Sequence, residues 1–187
     1  LDTGPLIDPR TGLQVFYTRQ ACPAGLGDAV RYGVGFADGR GVVVALGDSI
    51  IEGRQAIVPR LIDAYGEGEV SAAIAVEEVA DEDVSRYGIV VGAERDDGLI
   101  EVSDVLEKPS PDSVDSRLAV AARYVFGPPV FTALRSTEPD RLGEVQIADA
   151  LRRLIADGGR VVAVPLGDHE RRHDIGTIES YCSAFLR

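Results

Sequence analysis

Methionine is absent from the chain, cysteine occurs only twice, and no apolar run approaches the roughly 20 residues that a membrane helix needs. Translation starts with Met, whereas the chain starts at Leu1, so a further segment is expected ahead of Leu1 in the gene product. Cys22 and Cys182 lie far apart and fit no zinc spacing. One disulfide between them is formally open; the expectation is two reduced thiols in a cytoplasmic protein. No basic-then-apolar leader opens the chain, so nothing points to secretion. Cationic residues are also scarce: 19 Lys and Arg stand against 31 Asp and Glu, for a formal net charge of -12. An acidic surface repels nucleic acids and anionic membranes, and neither is expected as a partner. A small anionic ligand stays open, because a few local cations or a bound metal reverse the field at one site. What is present is ordinary for a globular protein: 45% apolar and 27% charged residues in 187, enough for one domain with a core.

Apolar runs alternate with helical patterns along the chain. Leu13 to Thr18 reads as a short strand and Asp28 to Phe36 as a helix. Gly41 to Leu46 is too apolar for a half-exposed strand and reads as a central strand covered on both faces. Ile57 to Tyr65 is an amphipathic helix that tolerates Pro59 in its first turn and stops at Gly66 and Gly68. Ser71 to Val76 is a strand, and Tyr87 to Val91 and Leu99 to Glu107 form a hairpin around Asp96-Asp97-Gly98. Then follow a strand at Ala119 to Phe126, a helix from Val130, an amphipathic helix at Val145 to Ala156, a strand at Arg160 to Leu166 and a helix at Ile178 to Leu186. The alternation predicts an α/β protein with a mostly parallel mixed sheet flanked by helices, an antiparallel hairpin insertion, and one domain over residues 1–187.

In open α/β sheets ligands bind beyond the carboxyl ends of strands. Gly47-Asp48 directly follows the run Val42 to Leu46; beside Gly47, Asp48 suits a hard cation such as Mg²⁺, and equally a turn that caps a helix start. The loop Gln20 to Val30 carries Gly25 and Gly27 into a helix, a form that exposes backbone amides to a base or phosphate or simply starts a helix. It lacks the Gly-Lys-Ser/Thr ending of a P-loop. Glu107-Lys108 ends a strand just before Pro109, whose bend turns both toward one cleft; the alternative is a surface ion pair. Asp174 either caps the last helix or binds metal, with His173 beside it and His169 in a charged loop. No Ser-His-Asp or Cys-His pattern points to a covalent nucleophile.

Singly these motifs are weak; their order is specific. GLGDAV (Gly25 to Val30), LGDSI (Leu46 to Ile50), RYGIV (Arg86 to Val90), LEKP (Leu106 to Pro109), LAVAARYVF (Leu118 to Phe126), GEVQIADAL (Gly143 to Leu151) and HDIGTIESY (His173 to Tyr181) arrive in one series. The series resembles the sugar-1-phosphate nucleotidyltransferases, most closely the uridylyltransferase branch that makes UDP-glucose.

The resemblance implies a Rossmann-like nucleotidyltransferase fold that transfers uridylyl from UTP to glucose 1-phosphate, releasing pyrophosphate, with Mg²⁺ as cofactor. It implies that Gln20 and Gly25 contact the nucleobase, that Asp48 and Asp174 hold the metal, that Gly88 and Glu107 meet sugar hydroxyls, and that Lys108 meets the sugar phosphate. A cytoplasmic homo-oligomer is the matching expectation. The family's triphosphate-gripping loop would lie before Leu1, so the 187 residues alone are expected to be inactive and to leave a gap beside the strand Val42 to Leu46. Asp28, Arg117 and Ala122 stand where the family usually has His, Asn and Gly, departures that bear on substrate choice more than on reaction class. A thymidylyltransferase or another sugar-nucleotide pyrophosphorylase is the first alternative. A non-catalytic sugar-nucleotide-binding regulator is the second, and two metal carboxylates argue against it.

Overall fold

The computed structural model describes residues 6–7, 11–53 and 56–186. Its elements run β1 (Leu6–Ile7), β2 (Gln14–Val15), α1 (Gly25–Arg31), α2 (Val34–Ala37), β3 (Val42–Ala45), β4 (Ser49–Glu52), α3 (Ile57–Gly66), β5 (Val70–Glu78), β6 (Gly88–Glu94), β7 (Ile100–Glu107), β8 (Leu118–Phe126), α4 (Pro128–Ser136), α5 (Ile147–Ala156), β9 (Arg160–Pro165), β10 (Arg171–Asp174) and α6 (Ile178–Phe185). Most match the predicted series to within a residue or two. The expected helix over 28–36 is broken into α1 and α2 at Tyr32-Gly33, and the expected strand over 13–18 shrinks to β2, paired with β1. Cys22 and Cys182 are free and exposed.

The two-residue period of β5 sets the layering. Ala72, Ile74 and Val76 join one core with Val30 of α1, Leu134 of α4 and Leu151 of α5. Ala73 and Ala75 face the other way, into a core with Ile57, Leu61 and Ala64 of α3. The sheet is therefore sandwiched between helices, as an α/β fold requires.

The strand order is β3-β8-β5-β9-β7-β6. The expectation of a mostly parallel sheet needs correction. β5 and β9 pair in parallel; the other pairings of this sheet are antiparallel. Tracing those pairings, β3, β5, β9 and β6 point one way and β8 and β7 the other. Both opposing strands are interior, so each sets antiparallel contacts on its two sides. The hairpin β6–β7 is no appendage: β7 pairs with β9, and the start of β6 pairs with β8.

A second correction concerns β3. Its apolar run predicted burial on both faces, yet among the described residues it pairs only with β8 and forms the sheet edge. Val42 and Val44 pack on the core, while Val43 is 45% exposed.

β8 carries the main irregularity. Opposite β5 its register jumps between Val120 and Tyr124, with Ala121, Ala122 and Arg123 facing the single residue Ala75. This bulge places Ala122 at φ 56°, in the left-handed region. A side chain there costs about 1–2 kcal/mol, against roughly 0.5–1 kcal/mol for the extra freedom of glycine in the unfolded chain. Ala122→Gly is thus expected to stabilise the protein by up to about 1 kcal/mol, read as a higher urea midpoint with an unchanged slope. A lower midpoint would show that the methyl group's packing outweighs the strain.

Candidate functional site

The bulge builds one wall of a cleft. The Ala122 carbonyl accepts the Leu46 N–H at 3.2 Å, and the next residue turns its guanidinium under the loop after β3. Arg123 donates to the carbonyls of Leu46 at 3.2 Å, Ser49 at 2.6 Å and Ala122 at 2.8 Å. The loop holding Asp48 is therefore clamped at both ends. Neither a metal role nor a helix start requires such a clamp, and in place of a helix the chain continues into β4.

β4 pairs with β10 so that Ser49 opposes Asp174. The Ile175 N–H donates to the Asp48 carbonyl at 2.8 Å. Two carboxylates 126 positions apart thus stand at the ends of neighbouring strands, and both border one cleft of about 310 Å³. Asp174 accepts the Gly176 N–H at 3.0 Å and the Tyr87 hydroxyl at 3.4 Å, and the Arg86 guanidinium lies 3.8 Å away. Arg172 lies over the Tyr87 ring, 4.2 Å from its centroid, and pairs with Glu77 of β5. Among the described residues no three His, Cys, Asp or Glu side chains form a metal cage. Two hard carboxylate donors in an open cleft, the remaining positions left to water and ligand oxygens, fit magnesium better than a metal that needs a full protein shell.

Gly88, Glu107 and Lys108 border the same cleft. Gly88 opposes Glu107 in the β6–β7 register. The bend that turns Glu107 and Lys108 to one side sits at Lys108 itself, with φ 44°, and not only at Pro109. Lys108 Nζ lies 3.7 Å from Glu107 Oε1. It is the chain's only lysine, and its compact charge on a flexible stem contrasts with the fixed fork of the arginines. Burial raises the Glu107 pKa above the usual carboxylate range, with Lys108 opposing the shift. Tyr124, fully buried at the cleft floor, has its pKa raised by burial first and by Glu107 next, so it remains a neutral phenol.

Gln20 and Gly25 meet each other but do not themselves border the cleft. The Gln20 amide donates to the Gly25 carbonyl at 3.2 Å and to Asp28 at 2.7 Å. Gly25 has φ 86°, and a Cβ there would sit 2.9 Å from the Val145 backbone. Gly27 donates to the Val145 carbonyl at 2.9 Å, and Val145 to that of Ala24 at 2.9 Å. The two glycines therefore exist first for close packing of the α1 loop on the segment before α5. That packing presents Leu26 and Gln146 to the cleft, and Asp140 holds the Gln146 amide at 2.9 Å. Arg117 stands away from the cleft, bonded to Asp81 and to the Val114 carbonyl. Ala122 does border it.

Sequence reasoning missed Arg123, Arg172, Tyr87, Gln146 and Ser49 as cleft residues or their supports. Two of them left a signal. Arg123 is a charge inside the otherwise apolar run Leu118 to Phe126, and Arg172 stands two residues before Asp174, on the same face of any strand there.

The sequence pattern of the family described as "Nucleotidyl transferase" matches residues 7–187. A UTP–glucose-1-phosphate uridylyltransferase of Pseudomonas aeruginosa is 34% identical over 171 residues, 90% of this chain and 60% of that protein. UTP–glucose-1-phosphate uridylyltransferase 2 of Streptococcus pyogenes serotype M1 is 38% identical over 154 residues, 80% and 51% respectively. A crystal structure of UDP-glucose pyrophosphorylase complexed with UDP-glucose superposes with a TM-score of 0.81 at 33% identity, covering 90% of this chain and 63% of that one. The chain belongs to the nucleotidyl transferase family. It spans between half and two thirds of the length of these relatives.

Two expectations follow from the geometry. Arg123→Met leaves the Leu46 and Ser49 carbonyls without their donor and should cost about 1–3 kcal/mol of stability in denaturant melts; an unchanged midpoint would remove the clamp from this account. The second concerns pH. Folding raises the Glu107 pKa, so the folded state holds that proton more tightly than the unfolded chain does. Its contribution to stability is present at low pH and is lost as pH rises from the ordinary carboxylate range through the raised value. Glu107→Gln should flatten that decline in urea melts carried upward in pH from the ordinary carboxylate range. The effect is small, because 31% of the side chain remains exposed. A steeper decline in the variant would contradict the raised pKa.

Proposed function

We propose that the protein is a nucleotidyltransferase that joins UTP and glucose 1-phosphate into UDP-glucose and pyrophosphate. The observation that carries this reading is the convergence of Asp48, Asp174, Glu107, Lys108 and Gly88 on one cleft, in a chain of this family. The named activities of the relatives supply the substrates.

In the proposed reaction an oxygen of the glucose 1-phosphate phosphate attacks the α-phosphorus of UTP. The bond from that phosphorus to the bridging oxygen breaks, and pyrophosphate leaves with the electron pair. No covalent enzyme intermediate is needed, so the protein's share is positioning and charge neutralisation. Lys108 would neutralise the sugar phosphate, and Glu107, in register with Gly88, would accept hydrogen bonds from sugar hydroxyls. Gln20 and Gly25 shape the base side through Leu26 and Gln146. Asp48 and Asp174 would hold a magnesium ion, which when bound neutralises charge on the reacting phosphates. The same reading makes residues 1–187 a single nucleotidyltransferase unit within a cytoplasmic homo-oligomer; no helix among the described residues is long and apolar enough to cross a membrane.

The test is pyrophosphate release by the full-length protein with UTP, glucose 1-phosphate and Mg²⁺. Activity should vanish on chelation and fall at least a hundredfold in Asp48→Asn, the scale on which active-site electrostatic contacts act. Glu107→Ala should weaken use of glucose 1-phosphate by roughly 2 kcal/mol, one charged hydrogen bond. Equal or faster turnover with dTTP would reassign the nucleotide. No pyrophosphate release with either nucleotide, under conditions where the protein still binds UDP-glucose, would leave only a binding protein.

A further inference from the structure

Ser49 is buried, 5% exposed, and borders the cleft between the two candidate metal carboxylates. Among the described residues its hydroxyl has no hydrogen-bond partner. Its backbone, by contrast, is fully engaged: the N–H donates to Leu46, the carbonyl accepts from Arg123, and the residue sits in register with Asp174. Directly opposed residues of an antiparallel pair carry their side chains on the same face of the ribbon. The hydroxyl therefore lies on the ribbon face that also carries Arg172 and Asp174, both of which border the cleft.

The neighbouring carboxylate does not complete it. Asp174 accepts the Gly176 N–H and the Tyr87 hydroxyl, and not the Ser49 hydroxyl. A buried hydroxyl without a partner is unfavourable by about 1–3 kcal/mol on mutational scales, and most such groups are satisfied in native proteins. A ligand acceptor would relieve that cost. Arg86, Lys108 and the 7%-exposed Arg172 side chain border the cleft against Asp48, Glu107 and Asp174, so a divalent cation on the two aspartates would make an anionic oxygen the favoured acceptor.

We infer that the Ser49 hydroxyl is a ligand-contacting group that donates a hydrogen bond to a phosphate oxygen of the nucleotide-sugar seated in the cleft. The inference rests on the function proposed above and adds a residue to its site. It also makes an unusual demand: removing the hydroxyl should harm the complex without harming the free protein. A purely structural serine would do the reverse.

The experiment compares the full-length wild type with Ser49→Ala. Titration calorimetry with UDP-glucose and with uridine, in the presence of Mg²⁺, is paired with thermal melts of the ligand-free proteins. The expected result is UDP-glucose affinity roughly tenfold or more weaker in the variant, uridine affinity unchanged, and a ligand-free melting temperature equal to or above the wild type. UDP-glucose affinity within about twofold of wild type overturns the inference, and so does an equal loss for uridine, which would place the hydroxyl at the base or in the fold. A lower melting temperature overturns it as well, since the hydroxyl would then already be satisfied, by a trapped water, before any ligand arrives. A wild type that does not bind UDP-glucose withdraws the functional reading, and the inference with it; a wild type that binds while the variant binds equally well overturns the inference alone.

Discussion

The pairing of Ser49–Glu52 with Arg171–Asp174 is the contact on which the cleft depends. Together with the Ile175 N–H on the Asp48 carbonyl, it joins Asp48, which follows an edge strand, to Asp174, which precedes the last helix. The register fixes them to neighbouring strand ends, and a slip of one residue would turn Asp174 to the opposite face of the ribbon. Asp48 would stay where Arg123 holds it, and the two carboxylates would no longer share a cleft.

Apolar burial acts on this ribbon through Ile51 of β4, which packs on the core beneath α3, and not through β10. Arg171-Arg172-His173-Asp174 offers the core no apolar side chain, and among the described residues β10 pairs with β4 alone. Its anchors are polar: Arg172 to Glu77 and over the Tyr87 ring, His173 to Glu52 at 3.1 Å, and Glu170 just before the strand, held by Arg60 of α3. Arg172 and Glu170 are nearly buried, with 7% and 2% of their side chains exposed. Breaking a buried pair by deleting one partner commonly costs 3–5 kcal/mol, because the other charge is left unpaired, whereas an intact pair adds little net stability. Such pairs specify an arrangement more than they strengthen it, and here the arrangement is the position of Asp174.

This division explains what the sequence made legible. The layers rest on hydrophobic period, and period is written in the chain: β5 alternates between two cores, and α5 repeats its apolar face at Ile147, Ala150, Leu151 and Leu154. The site residues Asp48, Gly88, Glu107, Lys108 and Asp174 were found because they end apolar elements and follow one another in a family-like order. Strand direction was not legible, because a run such as Leu118 to Phe126 reads the same whether its neighbours run with it or against it. β10 was hidden for the opposite reason. Its strand is built by tertiary ion pairs, and four polar residues carry no strand signal. The apolar run of β3 misled in turn, since its composition speaks of two covered faces and the structure covers one.

The charge distribution closes the argument. A chain with a net charge of -12 is a poor receptor for two phosphorylated substrates unless its few cations are concentrated. The sole lysine and two arginines, Arg86 and Arg172, border the cleft, while Arg123 spends its charge on backbone carbonyls beneath it. Against them stand Asp48, Glu107 and Asp174, so the formal side-chain charge of the empty cleft is close to balanced, three against three. A site of this kind gains its preference for anions from what binds with them. A divalent cation on the two aspartates would tip the balance by two positive charges. The strand register that brings Asp48 to Asp174 therefore governs the potential at the point where phosphate would sit.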